Sequence, residues 1–437
     1  MSAGRRSGAP LYHGLAPGPH GLSREEVARN QRARLYGATI EAVAARGWRE
    51  TTVADLIALA GISRRSFYEH FASRDECLAA TRDSVVARSR KLAIDAWTGE
   101  RGRANRLHAA CKALLDHVAA APNQGSLVLV ESLAGGRHAR EAMRLEGRAF
   151  GEMLAFALDL APRDAELRQL SSTALASGIR HVILTRLLER REHELRSLAD
   201  EVLDWCEACR PRLATRVSPT SADRAEVGAR PAPGAFANLD EERARAFVSL
   251  IVLILDKGYA RVTDAEVAQF AGISTEAFHK RFPSKELCFL ALLEQIGADA
   301  TRRVRQAALA APWPERAHVA MRTFIDHLLE HEVLTRLAFV ELFQLGPAVA
   351  AHLTRPIAGV IGAATQDAPQ PRHGPLIAEE ALTGALWWAV SCYPLRSRRQ
   401  RLPWLVDQLA FLLLASYVGP DGAAEVVEAA SARGPAG

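Results

Sequence analysis

From Ser63 to Phe71 the sequence reads SRRSFYEHF. Wound as a short helix, this stretch turns Phe67 and Phe71 inward and leaves Arg64, Arg65, Ser66, Tyr68, Glu69 and His70 on the outward positions. Such a face carries forked guanidinium donors, hydroxyls and an imidazole at the spacing that meets base edges in a major groove. The chemistry it suits is recognition rather than bond making.

A reading face must be held by other elements. Ser63 is placed to cap the short helix, and Ala60-Gly61 before it closes another helix, whose start carries Thr52 with Asp55 three positions on, a capping box. Two short helices across a glycine-containing turn make a helix-turn-helix. Leu56, Leu59, Ile62, Phe67 and Phe71 are expected to meet a long preceding helix through its stripe of Leu35, Ala38, Ala42 and Val43. That long helix starts at a second capping box, Ser23 with Glu26, and Ser73 with Glu76 opens a fourth helix that begins with Arg74.

The whole construction is written twice. AGISRRSFYEHFASRDECLAA at 60–80 returns as AGISTEAFHKRFPSKELCFLA at 271–291, and Gly47–Cys77 aligns without gaps to Gly258–Cys288 at an offset of 211. At an offset of 210 the match resumes, pairing His108, Asp116-His117 and Val130-Glu131 with His318, Asp326-His327 and Val340-Glu341. Leu198 and Asp200 match Leu405 and Asp407. The chain is a tandem duplication of a unit of roughly 190 residues, larger than a solenoid repeat. Ser63–Arg74 and Ser274–Lys285 each carry a net charge of +2, but the charges sit at different positions, with Glu276 where the first copy has Arg65, His279 for Tyr68 and Asp264 for Val53.

Helical periodicity dominates and no segment alternates as a strand does, so the fold class is all-α. At 437 residues the chain exceeds one ordinary core, and 49% hydrophobic with 24% charged residues describes a globular protein. The expected organisation is an arm at 1–22, a reader at 23–92, a helical ligand and dimerisation domain at 93–213, a linker at 214–237, a second reader at 238–299, a second helical domain at 300–419 and a frayed tail at 420–437. The linker, rich in Pro, Ala, Gly and Ser, reaches about 80 Å stretched and about 27 Å as a coil. A net charge of +5 permits a nucleic-acid partner without requiring one. Six dispersed cysteines suggest reduced thiols in a cytosol, and the longest apolar run, Phe247–Leu255, is too short to span a bilayer.

At Arg46–Leu78, and less closely at Lys257–Phe289, the sequence resembles the TetR family of transcriptional regulators, in the long helix, the Gly-aromatic-x-x-Thr-Thr start, the Ala-Gly-Ile-Ser turn and Phe-Tyr-x-His-Phe. The resemblance implies that Thr52, Ser63, Arg64, Arg65, Tyr68, His70 and Arg74 touch operator DNA. Through the repeat it implies the same of Thr263, Ser274, Thr275, His279, Lys280, Arg281 and Lys285. It further implies a cytoplasmic repressor that answers to an apolar small molecule. Since the family pairs two identical chains, this chain reads as such a pair fused into a pseudo-dimer, free to self-associate further. The alternative keeps one working reader and makes the second half an interaction scaffold, because Val248, Ile251, Val252 and Leu255 replace Gly37, Ile40, Glu41 and Ala44.

Other clusters are weaker signals. Cys206 and Cys209 lack a second pair, and His327 with His331 has only His117 and Ala121 in the first copy, so no metal is assigned and packing or pocket polarity is expected. Glu131 and Glu341 recur inside apolar runs and need partners, through a structural hydrogen bond or a ligand. With His117, His327 and Trp387 they form the candidate effector pocket. No phosphate loop or catalytic constellation is legible, so neither an enzyme nor a cofactor is expected.

Overall fold

The computed structural model describes residues 23–131, 136–160, 165–210, 236, 239–331, 333–334, 337, 350–392 and 402–433; the expected arm and nearly all of the expected linker lie outside them. Helices account for the architecture, with no strand among the described residues.

Each local signal forms as its chemistry dictates. Helix α1 (Arg24–Arg46) starts at the Ser23–Glu26 capping box and α2 (Val53–Ala60) at the Thr52–Asp55 box. Gly61 ends α2 in the left-handed region, φ 59° and ψ 43°, where a Cβ would be strained, and Ile62 N–H donates to the Ile57 carbonyl at 3.2 Å. Ser63 then caps α3 (Arg64–His70), and Ser73 caps α4 (Arg74–Gly99). Leu35, Ala38, Ala42, Leu56, Ala60, Phe67, Phe71 and Cys77 bury themselves together between these helices. Leu59, expected in that core, is instead 54% exposed. A helix of eight residues turns one narrow face inward, and Leu56 and Ala60 fill it.

The second copy repeats this construction in α10 (Glu241–Lys257), α11 (Asp264–Ala271), α12 (Thr275–Arg281) and α13 (Lys285–Ala308). Thr263 and Glu266 form the capping box, Gly272 the left-handed stop at φ 69°, and Ser274 the cap of α12. The ion pair that ties α1 to α2, Arg46 with Asp55 at 2.6 Å, returns as Lys257 with Glu266. Ile251 is buried, but Val248, Val252 and Leu255 form an exposed stripe on α10, each 40% accessible.

The contacts divide the chain into two compact units, 1–140 with 187–196, and 141–186 with 197–437. This differs from a division at the linker, because most of the expected first helical domain after residue 140 clusters with the second repeat. In the first unit α5 (Arg103–Ala120) and α6 (Pro122–Leu129) pack on α4 and α1. Helices α7 (Gly136–Ala157) and α8 (Ala165–Leu188) lie mainly in the second unit, followed there by α9 (Ala199–Ala208), α14 (Arg316–Glu330), α15 (Ala350–Ala364), α16 (Ala378–Cys392) and α17 (Leu402–Ala432).

Within that second unit, helices from the two repeats cross closely. A Cβ at Gly178 of α8 would come within 2.8 Å of the Ala381 carbonyl, and one at Gly384 of α16 within 2.7 Å of the Ser177 carbonyl. Arg186 pairs with Glu380, and Asp204 accepts from Gly374 N–H at 2.9 Å and meets His373 at 2.9 Å. Of the tail expected to fray, residues 420–432 are helical. Gly419, at φ 77° before Pro420, kinks α17 without ending it, Val427 is buried beyond the kink, and Arg433 meets Glu315 at 2.9 Å. The stretch Trp404–Ala432 is long and apolar enough to cross a membrane by length and composition, and more than half of its most apolar window is buried inside the protein.

Candidate nucleic-acid interface

Ser63, Arg64, Arg65, Tyr68 and Glu69 form one exposed face on α3, with Thr52 exposed at the start of α2. Beneath them Phe67 is fully buried and packs edge-on against the Tyr68 ring at 5.3 Å, which fixes the direction in which the phenol leaves the core. Arg64 lies 5.8 Å from the Tyr68 ring centroid, and Arg65, 90% exposed, is balanced by Glu69 at 3.1 Å. Such exposed pairs contribute little to stability, so both guanidiniums are available to a stronger acceptor. His70 is drawn back instead. Its Nε2 meets the Gln31 side-chain oxygen at 2.9 Å, and burial, then Arg32, hold its pKa below the usual imidazole value.

Arg74, which the resemblance sets against operator DNA, is engaged within the reader itself. Its Nη1 donates to three carbonyls of the loop between α1 and α2, those of Thr51 at 2.7 Å and of Trp48 and Arg49 at 3.3 Å, and its guanidinium sits 4.4 Å from the Trp48 ring. In the second copy Lys285 donates to Val262 O at 2.6 Å and Tyr259 O at 3.3 Å while lying 4.8 Å from the Tyr259 ring. Both cations hold a loop, and both stand on an aromatic residue at the same repeat offset. Taken up by carbonyls, they set the start of α2 or α11 rather than reach outward.

Glu131 completes this support in the first copy. Its Oε2 accepts from the backbone N–H of buried Trp48 at 2.9 Å, so the carboxylate has a structural partner in the reader. Glu131→Ala leaves that N–H without its partner and is expected to destabilise the protein by about 1–3 kcal/mol, measured by denaturant unfolding. Glu131→Gln, which keeps an acceptor, should recover most of the loss; equal losses in the two variants would refute the hydrogen bond's role.

The second reading face differs in how its charges are held. Ser274, Thr275, Glu276, His279, Lys280 and Arg281 are exposed on α12, with Thr263 exposed before α11. His279 Nε2 meets Asp264 Oδ2 at 3.0 Å, and Arg281 is engaged by Asp240 at 2.7 Å and Glu242 at 3.1 Å. Lys280 makes no ion pair among the described residues. The lattice of caps is the same as in the first copy, but Arg281 and His279 both have acidic partners at hand.

The expected effector residues are spread over both units, His117 and Glu131 in the first and His327 and Trp387 in the second. His117 is half-buried on α5, its pKa pushed down by burial and then by Arg88. His327 is buried beside His331, Trp387 packs against the second reader's core, and Glu341 lies outside the described residues. A small apolar cavity in the second unit is lined by Met321, Ile361, Leu382, Ala385, Leu386, Leu409, Leu412 and Leu413.

The family description "Bacterial regulatory proteins, tetR family" matches residues 35–81 and again 251–292, the two stretches in which these readers are built. Among solved structures, the chain is similar to the fatty acid degradation regulator FadR from Bacillus halodurans at 13% identity, over 43% of this chain and 97% of that one, with a TM-score of 0.37. It is also similar to a TetR-like transcriptional regulator from Rhodococcus sp. RHA1 at 20% identity, over 42% of this chain and 98% of that one, with a TM-score of 0.34. Matched at both readers, the chain carries two tandem copies of the helix-turn-helix unit of the tetR family of bacterial regulatory proteins.

Proposed function

We propose that the chain is a sequence-specific DNA-binding repressor, released by an apolar small molecule, in which two non-identical readers work as a pseudo-dimer within one polypeptide. The observation that carries this reading is the repetition of the whole reader scaffold, cap for cap, beneath two different exposed faces. The crossing of α8 with α16 through Gly178 and Gly384 supports the intramolecular pairing, since each repeat supplies a glycine to the close approach. Operator DNA is the partner, and Thr52, Ser63, Arg64, Arg65 and Tyr68 face one half-site while Thr263, Ser274, Thr275, His279, Lys280 and Arg281 face the other.

A second reading, one reader and a scaffold, has its own support in the paired Arg281 and His279 and the exposed stripe on α10. Titrating duplex DNA with the full chain at several salt concentrations tests the proposed function. A regulator that reads DNA binds a selected sequence at least about a thousandfold more tightly than random duplex, with affinity falling steeply as salt rises. Equal, weak binding to both duplexes would overturn it.

A further inference from the structure

His327 lies in the last turn of α14 and His331 just past it, one turn apart and only 3% and 5% exposed. Their ring centroids are 4.6 Å apart, and none of the four ring nitrogens has a hydrogen-bond partner among the described residues. Buried imidazoles almost always satisfy both nitrogens, because an unmade bond costs about 1–3 kcal/mol each. From α13, Asp299 brings a carboxylate to the same space. Its Oδ2 is 3.9 Å from His327 Nδ1, and the three side chains offer ligand atoms within 4.8 Å of one another. We propose that Asp299, His327 and His331 bind a divalent transition-metal ion of the zinc class, leaving at least one coordination position for water or a small ligand.

The donor set chooses the class. Two imidazoles and one carboxylate suit zinc, cobalt, nickel or iron, whereas calcium and magnesium require oxygen ligands. Histidines at i and i+4 present both rings on one helical face, a spacing that holds zinc elsewhere when a third ligand arrives from another element. Ligand atoms around zinc stand about 3.3 Å apart, given metal–ligand bonds of about 2.0–2.1 Å. The side chains must therefore close by roughly 1.5 Å, and His331, past the last residue of α14 at φ −113° and ψ 44°, is the one least constrained by helix geometry.

The surroundings set the electrostatic terms. Arg302 takes Asp299 Oδ1, leaving Oδ2 toward the histidines; Arg303 Nε stands 3.9 Å from Oδ2, and its Nη1 bonds Glu330 at 2.6 Å. The arginines oppose an incoming cation, and Asp299 and Glu330 balance them. Burial lowers the pKa of both imidazoles, that of His327 to about 4.

The first repeat shows that the fold does not need these residues. Carrying the offset of 211 along α4 and α13 puts Arg88 where Asp299 stands, and the later offset of 210 puts Ala121 where His331 stands. Arg88 there repels the positive charge of His117, the counterpart of His327. One repeat keeps a single imidazole beside a cation, and the other gathers two imidazoles and a carboxylate. The site therefore belongs to the second copy alone, and it ties the helix that leaves the second reader to the helix packed against it.

The test uses the full chain, stripped with a chelator and titrated with Co²⁺ alone. A visible absorption band saturating at one equivalent per chain is expected, displaced by Zn²⁺ and without the strong near-ultraviolet bands of thiolate ligation. Asp299→Arg and His331→Ala copy the first repeat, which folds with those residues, and should weaken binding roughly 100-fold or more. Zn²⁺ should raise the melting temperature of the wild-type protein and of neither variant. No saturable band in the wild-type protein, or an unchanged band and stoichiometry in both variants, would overturn the site and leave the histidines as packing.

Discussion

Exchanging Arg64 and Arg65 together for alanine is expected to weaken operator binding by about 1–3 kcal/mol for each side chain that reaches a base edge. Both stand exposed in the first turn of α3, beyond the Ser63 cap, over a core that Phe67 and Phe71 fill without them. Nothing in the fold depends on them apart from an exposed pair with Glu69 and a contact with Tyr68. The loss should therefore appear in binding and not in unfolding. Titrations on operator and on random duplex separate the effects, because lost phosphate charge weakens both DNAs alike whereas lost base contacts weaken only the operator. A double variant that binds the operator as tightly as the wild-type protein would remove α3 from the interface.

Rewriting the second face produces the other large effect. Thr275→Arg, Glu276→Arg and His279→Tyr give α12 the outward residues that α3 carries at Arg64, Arg65 and Tyr68. Glu276→Arg changes the local charge by two, and His279→Tyr releases Asp264, which keeps the Lys285 N–H at 3.1 Å as a partner. Identical donors over identical caps should select identical half-sites, so the triple variant should prefer a palindrome of the first reader's half-site by about 1–3 kcal/mol per matched base contact. Selection from random duplexes reads this directly. A triple variant with the same preferred sequence as the wild-type protein would show that α12 does not read DNA.

The parts of this molecule that were legible in its sequence are those written locally. The boxes Ser23–Glu26, Thr52–Asp55 and Thr263–Glu266, the stops at Gly61 and Gly272, and the caps Ser63 and Ser274 each involve residues a few positions apart, so each formed as read. Contacts between distant segments were not legible in that way. The carbonyls that hold Arg74 lie 23 to 26 residues before it, whereas the resemblance set Arg74 against operator DNA. The repeat carried a usable signal, since Trp48 with Arg74 becomes Tyr259 with Lys285, an aromatic and a cation kept together through the duplication. The tail from 420 was expected to fray, but Gly419 redirects a helix in which Val427 is buried beyond the kink. Likewise the His327 and His331 spacing was visible, whereas Asp299 joins them only through the packing of α13 on α14.

The two-reader arrangement is tested by the DNA sequence that the wild-type full chain selects from a random pool, with the number of chains per bound duplex counted by sedimentation. One chain should hold one duplex, because the two readers and the crossing helices are in a single polypeptide. The selected site should contain two unlike half-sites, centred about 34–36 Å apart or a multiple of it, one for the Arg64, Arg65 and Tyr68 face and one for the Thr275, Glu276 and His279 face. A perfect palindrome bound by two chains would contradict the account, as would a single half-site with no preference in the flanking sequence.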